Sequence, residues 1–257
     1  MNLESALRAN RDRGRKLLVP YITGGMSDDW CEVLGALGSA GADAIEIGMP
    51  FSDPIMDGPT IQDACTRALA RGVTPFSILH DLDRVDAGVP LVAMTYYNLV
   101  HHAGEARFAG ALADAGISGA IIPDLPLEES AVWEEAAASA GVEAVLLVAP
   151  VTPDERIARI CERSRGFVYA VARMGITGER ASVSSSASVL VKRVKAATDK
   201  PVLVGFGVST PEHAAEMSAD ADGVIVGSAL VQIILDGGGP QEAAAFVTSM
   251  RAALDAP

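Results

Sequence analysis

Short apolar runs alternate with longer segments of helical pattern along the whole 257-residue chain. The strand-like runs are 17–23, 43–48, 90–95, 119–123, 143–149, 166–171, 201–205 and 222–227. The helical segments between and after them are 28–40, 60–71 with 75–86, 105–115, 128–139, 153–163, 188–197, 211–218 and 241–254, and a short helix over 3–10 precedes the first strand. Regular alternation of this kind predicts a parallel sheet with helical connections.

Several strand-like runs are apolar at consecutive positions, among them 120–122, 145–148 and 224–226, so both faces of the sheet should be covered. Eight strand–helix units in a chain of this length are typical of a (β/α)8 TIM barrel, an α/β fold. An open doubly wound sheet is the alternative, but it favours a glycine-rich dinucleotide loop after the first strand, and residues 23–26 do not have that pattern. Because no linker or change in composition divides the chain, residues 1–257 are expected to form a single TIM-barrel domain with an extra N-terminal helix.

The chain is acidic, with a formal net charge of −13, and it lacks the basic footprint of a nucleic-acid-binding protein. Any phosphate must therefore be held locally, by backbone amides. Residues 1–16 are polar and show no signal-peptide pattern, and no run of 18 apolar residues predicts a membrane span. The three cysteines are widely spaced, which fits a reducing compartment. We therefore expect a cytoplasmic protein with no nucleic-acid or membrane partner.

Glycine-bearing loops follow the seventh and eighth strands. The first contains Gly205, Phe206 and Gly207, and the second contains Gly227 and Ser228 at the start of a short helix. Barrels hold phosphate groups at this place, because glycines let the backbone approach and a helix N-terminus presents free N–H groups. Ordinary turn glycines are the alternative interpretation.

Glu46 lies inside the apolar run of the second strand, and Asp57 follows in the next loop. Along a strand, Glu46 shares a face with Ala44 and Gly48, whereas Ile45 and Ile47 suit the helix-facing side. Glu46 should therefore point into the barrel near its catalytic mouth, where burial would raise its pKa and make it a usable acid and base. A glutamate at a strand edge or paired with an arginine is the simpler alternative.

Other polar groups lie near strand ends and each has a structural alternative. They are Tyr21, Thr23, Tyr96, Asn98, Asp124 and Tyr169. A tyrosine is often a core residue whose hydroxyl is tied to the backbone, and a turn-shaping role is the alternative for Asp124. After the sixth strand, residues 173–186 form a long Gly/Ser-rich stretch, which predicts a lid.

The predicted strand ends carry no lysine and no histidine cluster, which argues against several classes of enzyme. None of the four lysines ends a strand, which argues against a Schiff-base aldolase or a pyridoxal enzyme. The four histidines offer no strand-end metal cluster. Cofactor-free acid/base chemistry on a phosphorylated small molecule remains.

These motifs resemble the tryptophan synthase alpha chain family. The stretch 46–62 looks like its signature, with both carboxylates at the family spacing. The further matching segments are 94–98, 123–126, 175–178, 205–207 and 226–228. The resemblance runs in order from about Pro20 to Leu235, nearly the whole chain.

The resemblance implies retro-aldol cleavage of indole-3-glycerol phosphate to indole and glyceraldehyde 3-phosphate, without a cofactor or a metal. Glu46 would protonate indole C3 and take the proton of the glycerol hydroxyl, and Asp57 would bind the indole N–H. Tyr169 would support them as an active-site tyrosine. The further residues implied in substrate binding are Tyr21, Tyr96 and Leu147 for the indole, and Gly178, Gly205, Phe206, Gly207, Gly227 and Ser228 for the phosphate and its surroundings. Thr177 would be the lid threonine that contacts Asp57 on closure.

The chain departs from the family pattern at two places. Many members have Gly-Asp-Pro after the first strand, where this chain has Gly25, Met26 and Ser27, and many have a serine at the position of Ala172. Neither change removes a proposed catalytic group.

The resemblance also implies a partner, a pyridoxal-phosphate beta chain that receives indole in an alpha2-beta2 heterotetramer. Docking is expected near Pro50, Asp53, the Asn98 loop and the lid. A standalone lyase that releases free indole and a silent activating subunit are alternatives, and a phosphoribosyl isomerase barrel is a more distant one.

Overall fold

The computed structural model describes residues 2–171, 180–205 and 207–256, with the backbone alone for residues 180–185. The strands in these ranges are β1 (Leu17–Thr23), β2 (Ile45–Gly48), β3 (Leu91–Met94), β4 (Ile117–Ile121), β5 (Glu143–Val148), β6 (Val168–Val171), β7 (Val202–Gly205) and β8 (Gly223–Val226). The helices are α1 (Leu3–Arg11), α2 (Trp30–Ser39), α3 (Pro59–Ala70), α4 (Pro75–Leu82), α5 (Tyr97–Ala103), α6 (Glu105–Asp114), α7 (Ala131–Ala140), α8 (Asp154–Arg163), α9 (Arg180–Ala197), α10 (Pro211–Ser218), α11 (Ser228–Leu235) and α12 (Pro240–Leu254).

The eight strands form a closed parallel barrel. Each strand pairs with the next one in sequence, and β8 pairs with β1 to close the ring. At the junction of β1 and β2, Tyr21 lies opposite Glu46 and Thr23 lies opposite Gly48. The prediction of a (β/α)8 TIM barrel with an extra N-terminal helix is confirmed.

The alternation of side chains along each strand divides the core into two layers. Ile45 and Ile47 belong to the large apolar cluster between the barrel and its helices. The inward cluster contains Leu17, Val19, Ala44, Val92, Ile121, Val145, Phe167, Leu203 and Ile225. The barrel is thus filled by apolar side chains over its lower part.

Helix α1 closes the N-terminal end of this barrel. Leu3 and Leu7 are fully buried and belong to the inward cluster. A Cβ atom added to Gly119 or Gly166 would come within 2.6 or 2.7 Å of Leu3 Cδ2, so these glycines leave the room that Leu3 fills. The carboxylate of Glu143 accepts hydrogen bonds from the N–H of Glu4 and from the side chain of Asn2, which fixes the start of the helix.

The structure corrects two local predictions. Helix α5 was not predicted, and its first N–H, that of Tyr97, donates to the Asp124 carboxylate at 2.9 Å rather than to a residue next to it in sequence. The prediction of a loop over residues 173–186 is wrong for residues 180–186, because they belong to α9. Residues 173–179 lie outside the described ranges. Within the described part of the chain, no helix is long and apolar enough to cross a membrane.

Candidate active site

A cleft of about 150 Å³ opens at the C-terminal ends of the strands, which is room for a ligand many times larger than one water molecule. Its polar or glycine wall is formed by Tyr21, Glu46, Asp57, Tyr169, Gly207, Ser209, Gly227 and Ser228, and its apolar wall by Ile61, Met94, Val208, Ile225 and Ala229. The structure therefore brings Glu46, Asp57 and Tyr169 together with the glycines of the last two strand ends.

Glu46 is the most perturbed carboxyl of this cleft. Its side chain points into the barrel from β2 and is only 3% exposed. Burial, with a smaller contribution from the nearby charge of Asp57, raises the pKa of Glu46 to about 8. Within the described residues, its Oε2 atom has no hydrogen-bond partner. Glu46 is thus a protonated carboxyl near neutral pH with one oxygen left for a ligand.

Asp57 faces Glu46 from the loop between β2 and α3. Burial also raises its pKa, but a hydrogen bond from the Tyr96 hydroxyl acts in the opposite direction and favours the carboxylate. The same hydroxyl accepts a hydrogen bond from the N–H of Met56 at 3.0 Å, which ties the loop to the start of α5. The two acids therefore have different environments, since the Tyr96 hydroxyl partly offsets at Asp57 the effect of burial.

Two tyrosines border the carboxyls, and the hydroxyl of each occupies the space that a side chain would need at a nearby glycine. A Cβ atom at Gly48 would lie 1.9 Å from the Tyr21 hydroxyl, and one at Gly205 would lie 2.0 Å from the Tyr169 hydroxyl. Burial and then the charges of Glu46 and Asp57 raise the pKa of Tyr169, so its phenol stays protonated beside them. Gly205 therefore makes room for Tyr169 and does not itself line the cleft.

Glycines and a helix N-terminus form the opposite end of the cleft. Gly207 has a φ of +90°, which favours glycine, and open space lies where its Cβ would be. Helix α11 begins at Ser228, and its first bond runs from the N–H of Val231 to the carbonyl of Gly227. The N–H groups that precede Val231 have no intrahelical acceptor. No lysine or arginine is among the described lining residues, so an anion here would be held by backbone amides.

Not every residue predicted for the site reaches this cleft. Leu147 lies opposite Tyr169 on β5, but it lines a neighbouring groove with Met56 and Val171. Tyr96 is not among the described lining residues, although its hydroxyl donates a hydrogen bond to the Asp57 carboxylate. The ring of Phe51 stacks on that of Tyr96, with 5.1 Å between the ring centroids. Thr177, Gly178 and Phe206 lie outside the described residues.

Sequence reasoning missed most of the apolar wall. Met94 and Ile225 occupy inward strand positions that look like ordinary core, whereas Ile61 lies at the end of the signature stretch 46–62, and Val208 and Ser209 follow Gly207. Proximity to those loops was the available signal. Among the described residues, no group of histidine, cysteine or carboxylate side chains has the arrangement of a metal site.

Comparison with known proteins agrees with this geometry. The family model for the tryptophan synthase alpha chain matches residues 7–254. The chain belongs to this family. It is 47% identical over 235 residues to the tryptophan synthase alpha chain of Gloeobacter violaceus. This match covers 90% of this chain and 84% of the relative. It is 43% identical over 262 residues to that of a Cyanothece species, with 99% and 98% covered.

Solved structures of this family share the fold. A tryptophan synthase structure from Mycobacterium tuberculosis superposes with a TM-score of 0.91 at 40% identity, covering 99% of this chain and 98% of the other. Because this identity extends over nearly the full length, the cleft at the strand ends corresponds to the strand-end region of the alpha-chain barrels.

Proposed function

We propose that this chain is a carbon–carbon lyase that cleaves indole-3-glycerol phosphate to indole and glyceraldehyde 3-phosphate in tryptophan biosynthesis. The observation that carries the proposal is Glu46, a buried carboxyl with a raised pKa and an unpartnered oxygen in the described structure. It faces a cleft whose other end offers backbone amides and, among the described lining residues, no lysine or arginine. An acid near the reacting carbon and an anion cradle near the phosphate are what this substrate needs.

In the first step, Glu46 donates its proton to C3 of the indole ring. The ring becomes a cation, with positive charge shared by its nitrogen. Asp57 accepts a hydrogen bond from the indole N–H, and its carboxylate stabilises that charge as it develops. A fixed negative group acts more strongly here than in bulk water because Asp57 is partly buried.

In the second step, the Glu46 carboxylate takes the proton of the hydroxyl on the carbon attached to indole C3. As that proton leaves, a carbonyl forms and the carbon–carbon bond breaks. The bonding electrons return to the ring and neutralise it. Glu46 is again protonated, so one residue serves as acid and then as base, and no proton is gained or lost overall.

The phosphate and the supporting tyrosines fix the substrate between these groups. Gly207, Gly227 and Ser228 present the amide donors for the phosphate. Tyr169 borders both carboxyls and keeps its own proton, so it supports their placement without competing as a base. No cofactor is needed for any of these transfers.

A beta chain is the proposed partner that receives indole. The loop carrying Asp57 supports this, because its Ile55 is 80% exposed and Met56 is also exposed. Asp53 and Asn98 are exposed nearby on the same loop and on α5. An apolar, exposed loop next to a catalytic carboxylate is suited to a partner whose docking adjusts Asp57.

The experiment is indole release from indole-3-glycerol phosphate by the purified chain, alone and with a tryptophan synthase beta chain. Slow release that the partner stimulates strongly is the expected result. Fast release that the partner does not change would make the chain a standalone lyase. No release in either mixture would refute the proposed reaction and leave an activating subunit.

A further inference from the structure

Tyr21 lies between the two ends of the cleft. On β1 it is opposite Glu46 of β2, and its hydroxyl reaches over Gly48, one inward position nearer the mouth. On the other side its ring borders Gly227, whose added Cβ would lie 3.5 Å from the ring and from Tyr21 Cβ. The side chain therefore spans the distance from the proposed phosphate cradle to the acid.

The hydroxyl of Tyr21 is buried and weakly bonded. Its partner among the described residues is the hydroxyl of Thr23, at 3.3 Å, which is longer than the usual 2.5–3.0 Å of an O–H···O bond. Thr23 is fully buried, whereas Tyr21 lines the cleft, so the Tyr21 hydroxyl is the member of the pair that a ligand can reach. Burying a poorly satisfied hydroxyl is costly, and a phenylalanine would form the same apolar wall without that cost.

We propose that the Tyr21 hydroxyl, oriented by Thr23, binds the hydroxyl on the middle carbon of the substrate's glycerol chain and thereby selects hydroxylated side chains. The inference rests on the proposed function. The middle carbon separates the reacting carbon, which belongs beside Glu46, from the phosphate, which belongs beside Gly227. Tyr21 lies next to both places, because it is paired with Glu46 across β1 and β2 and its ring borders Gly227.

The pairing also explains the requirement at Gly48. Any side chain at that position would collide with the Tyr21 hydroxyl, since a Cβ atom would already be 1.9 Å away. The position of the hydroxyl is thus determined on three sides, by Gly48, by Thr23 and by the strand that carries it. Such fixed placement is what a specificity contact needs.

The test compares two ligands on two proteins by calorimetry. The ligands are indole-3-glycerol phosphate and indole-3-propanol phosphate, which lacks both glycerol hydroxyls. The proteins are Glu46→Gln, in which the substrate is bound without being cleaved, and the same chain with Tyr21→Phe added. Removing the phenol oxygen is expected to weaken the glycerol compound about two- to tenfold and to leave the propanol compound unchanged, as for one neutral hydrogen bond.

Two further variants keep the result interpretable. Tyr97→Phe removes a phenol oxygen that donates to Glu105 at 2.8 Å outside the cleft, and it should leave both affinities unchanged. Thr23→Val should weaken the glycerol compound in the same direction as Tyr21→Phe, but less. Equal weakening of both ligands by Tyr21→Phe, or no weakening of either, would overturn the proposal. Turnover by the wild-type chain tests the proposed reaction separately, because these affinities do not depend on cleavage.

Discussion

Replacing Glu46 by glutamine should make the protein more stable as well as inactive. The unfolded chain releases the Glu46 proton near its ordinary pKa of 4.5, whereas the folded protein keeps it to about pH 8. Stability is therefore lost as the pH rises through this window, because the folded state binds the extra proton. Three and a half pKa units at 1.36 kcal/mol each amount to about 5 kcal/mol at pH 8 and above.

Glutamine has nearly the same shape and does not titrate, so the Glu46→Gln variant escapes this loss. Its advantage over wild type should be small at pH 4.5 and should grow with pH, reaching about 3 kcal/mol at pH 7. Burying an amide instead of a carboxyl adds an offset that does not depend on pH. The slope of the difference, and not its absolute size, therefore reports the titration of Glu46.

The assay is urea unfolding of both proteins at pH 5, 6, 7, 8 and 9, followed by circular dichroism. Glu135→Gln, which changes an exposed glutamate on α7, is the matched control and should give a curve parallel to that of wild type. Indole release by Glu46→Gln should fall by several orders of magnitude at every pH. If the wild-type and Glu46→Gln stabilities ran parallel between pH 5 and 8, Glu46 would have an ordinary pKa and the acid role derived from its burial would be wrong.

Three further perturbations test other parts of the structure. Asp57→Asn should lower kcat about 10²–10³-fold and move the high-pH limb of the rate profile to lower pH, because the charge that helps raise the Glu46 pKa is lost; an unmoved limb would contradict this coupling. Gly207→Val should raise KM more than tenfold, whereas Gly237→Val, with a similar φ of +93° and open space, should not. Leu3→Ala should cost about 3 kcal/mol of unfolding free energy and leave kcat unchanged, since Leu3 is at the opposite end of the barrel.

The barrel and its acid could be predicted because they follow from local periodicity. A run that is apolar on both faces requires cover on both sides, and the two-residue repeat of a strand is enough to direct Glu46 inward. The strand ends then meet at one rim whatever the details of packing, so the glycine loops and both carboxylates had to come together there.

What could not be predicted depends on contacts between distant segments. Helix α5 is short, and the carboxylate that accepts its first N–H, that of Asp124, is separated from it by β4. The first turns of α9 are rich in serine, which has weak helix propensity, so the sequence there looked like a loop. Ile225 lines the cleft from an inward position that is equally suited to the core. Nothing in the sequence shows that Gly205 makes room for a tyrosine on another strand.

The packing of helix α1 against the barrel affects the order in which parts of the protein can fold. Residues 3–11 are made before Gly119 and Gly166, against which Leu3 packs and which follow more than a hundred residues later. At ordinary rates of synthesis, Leu3 and Leu7 lack these packing partners for roughly 10–30 s. The two leucines of helix α1 are therefore exposed until the strands that cover them have been made, and the helix can dock only after that point.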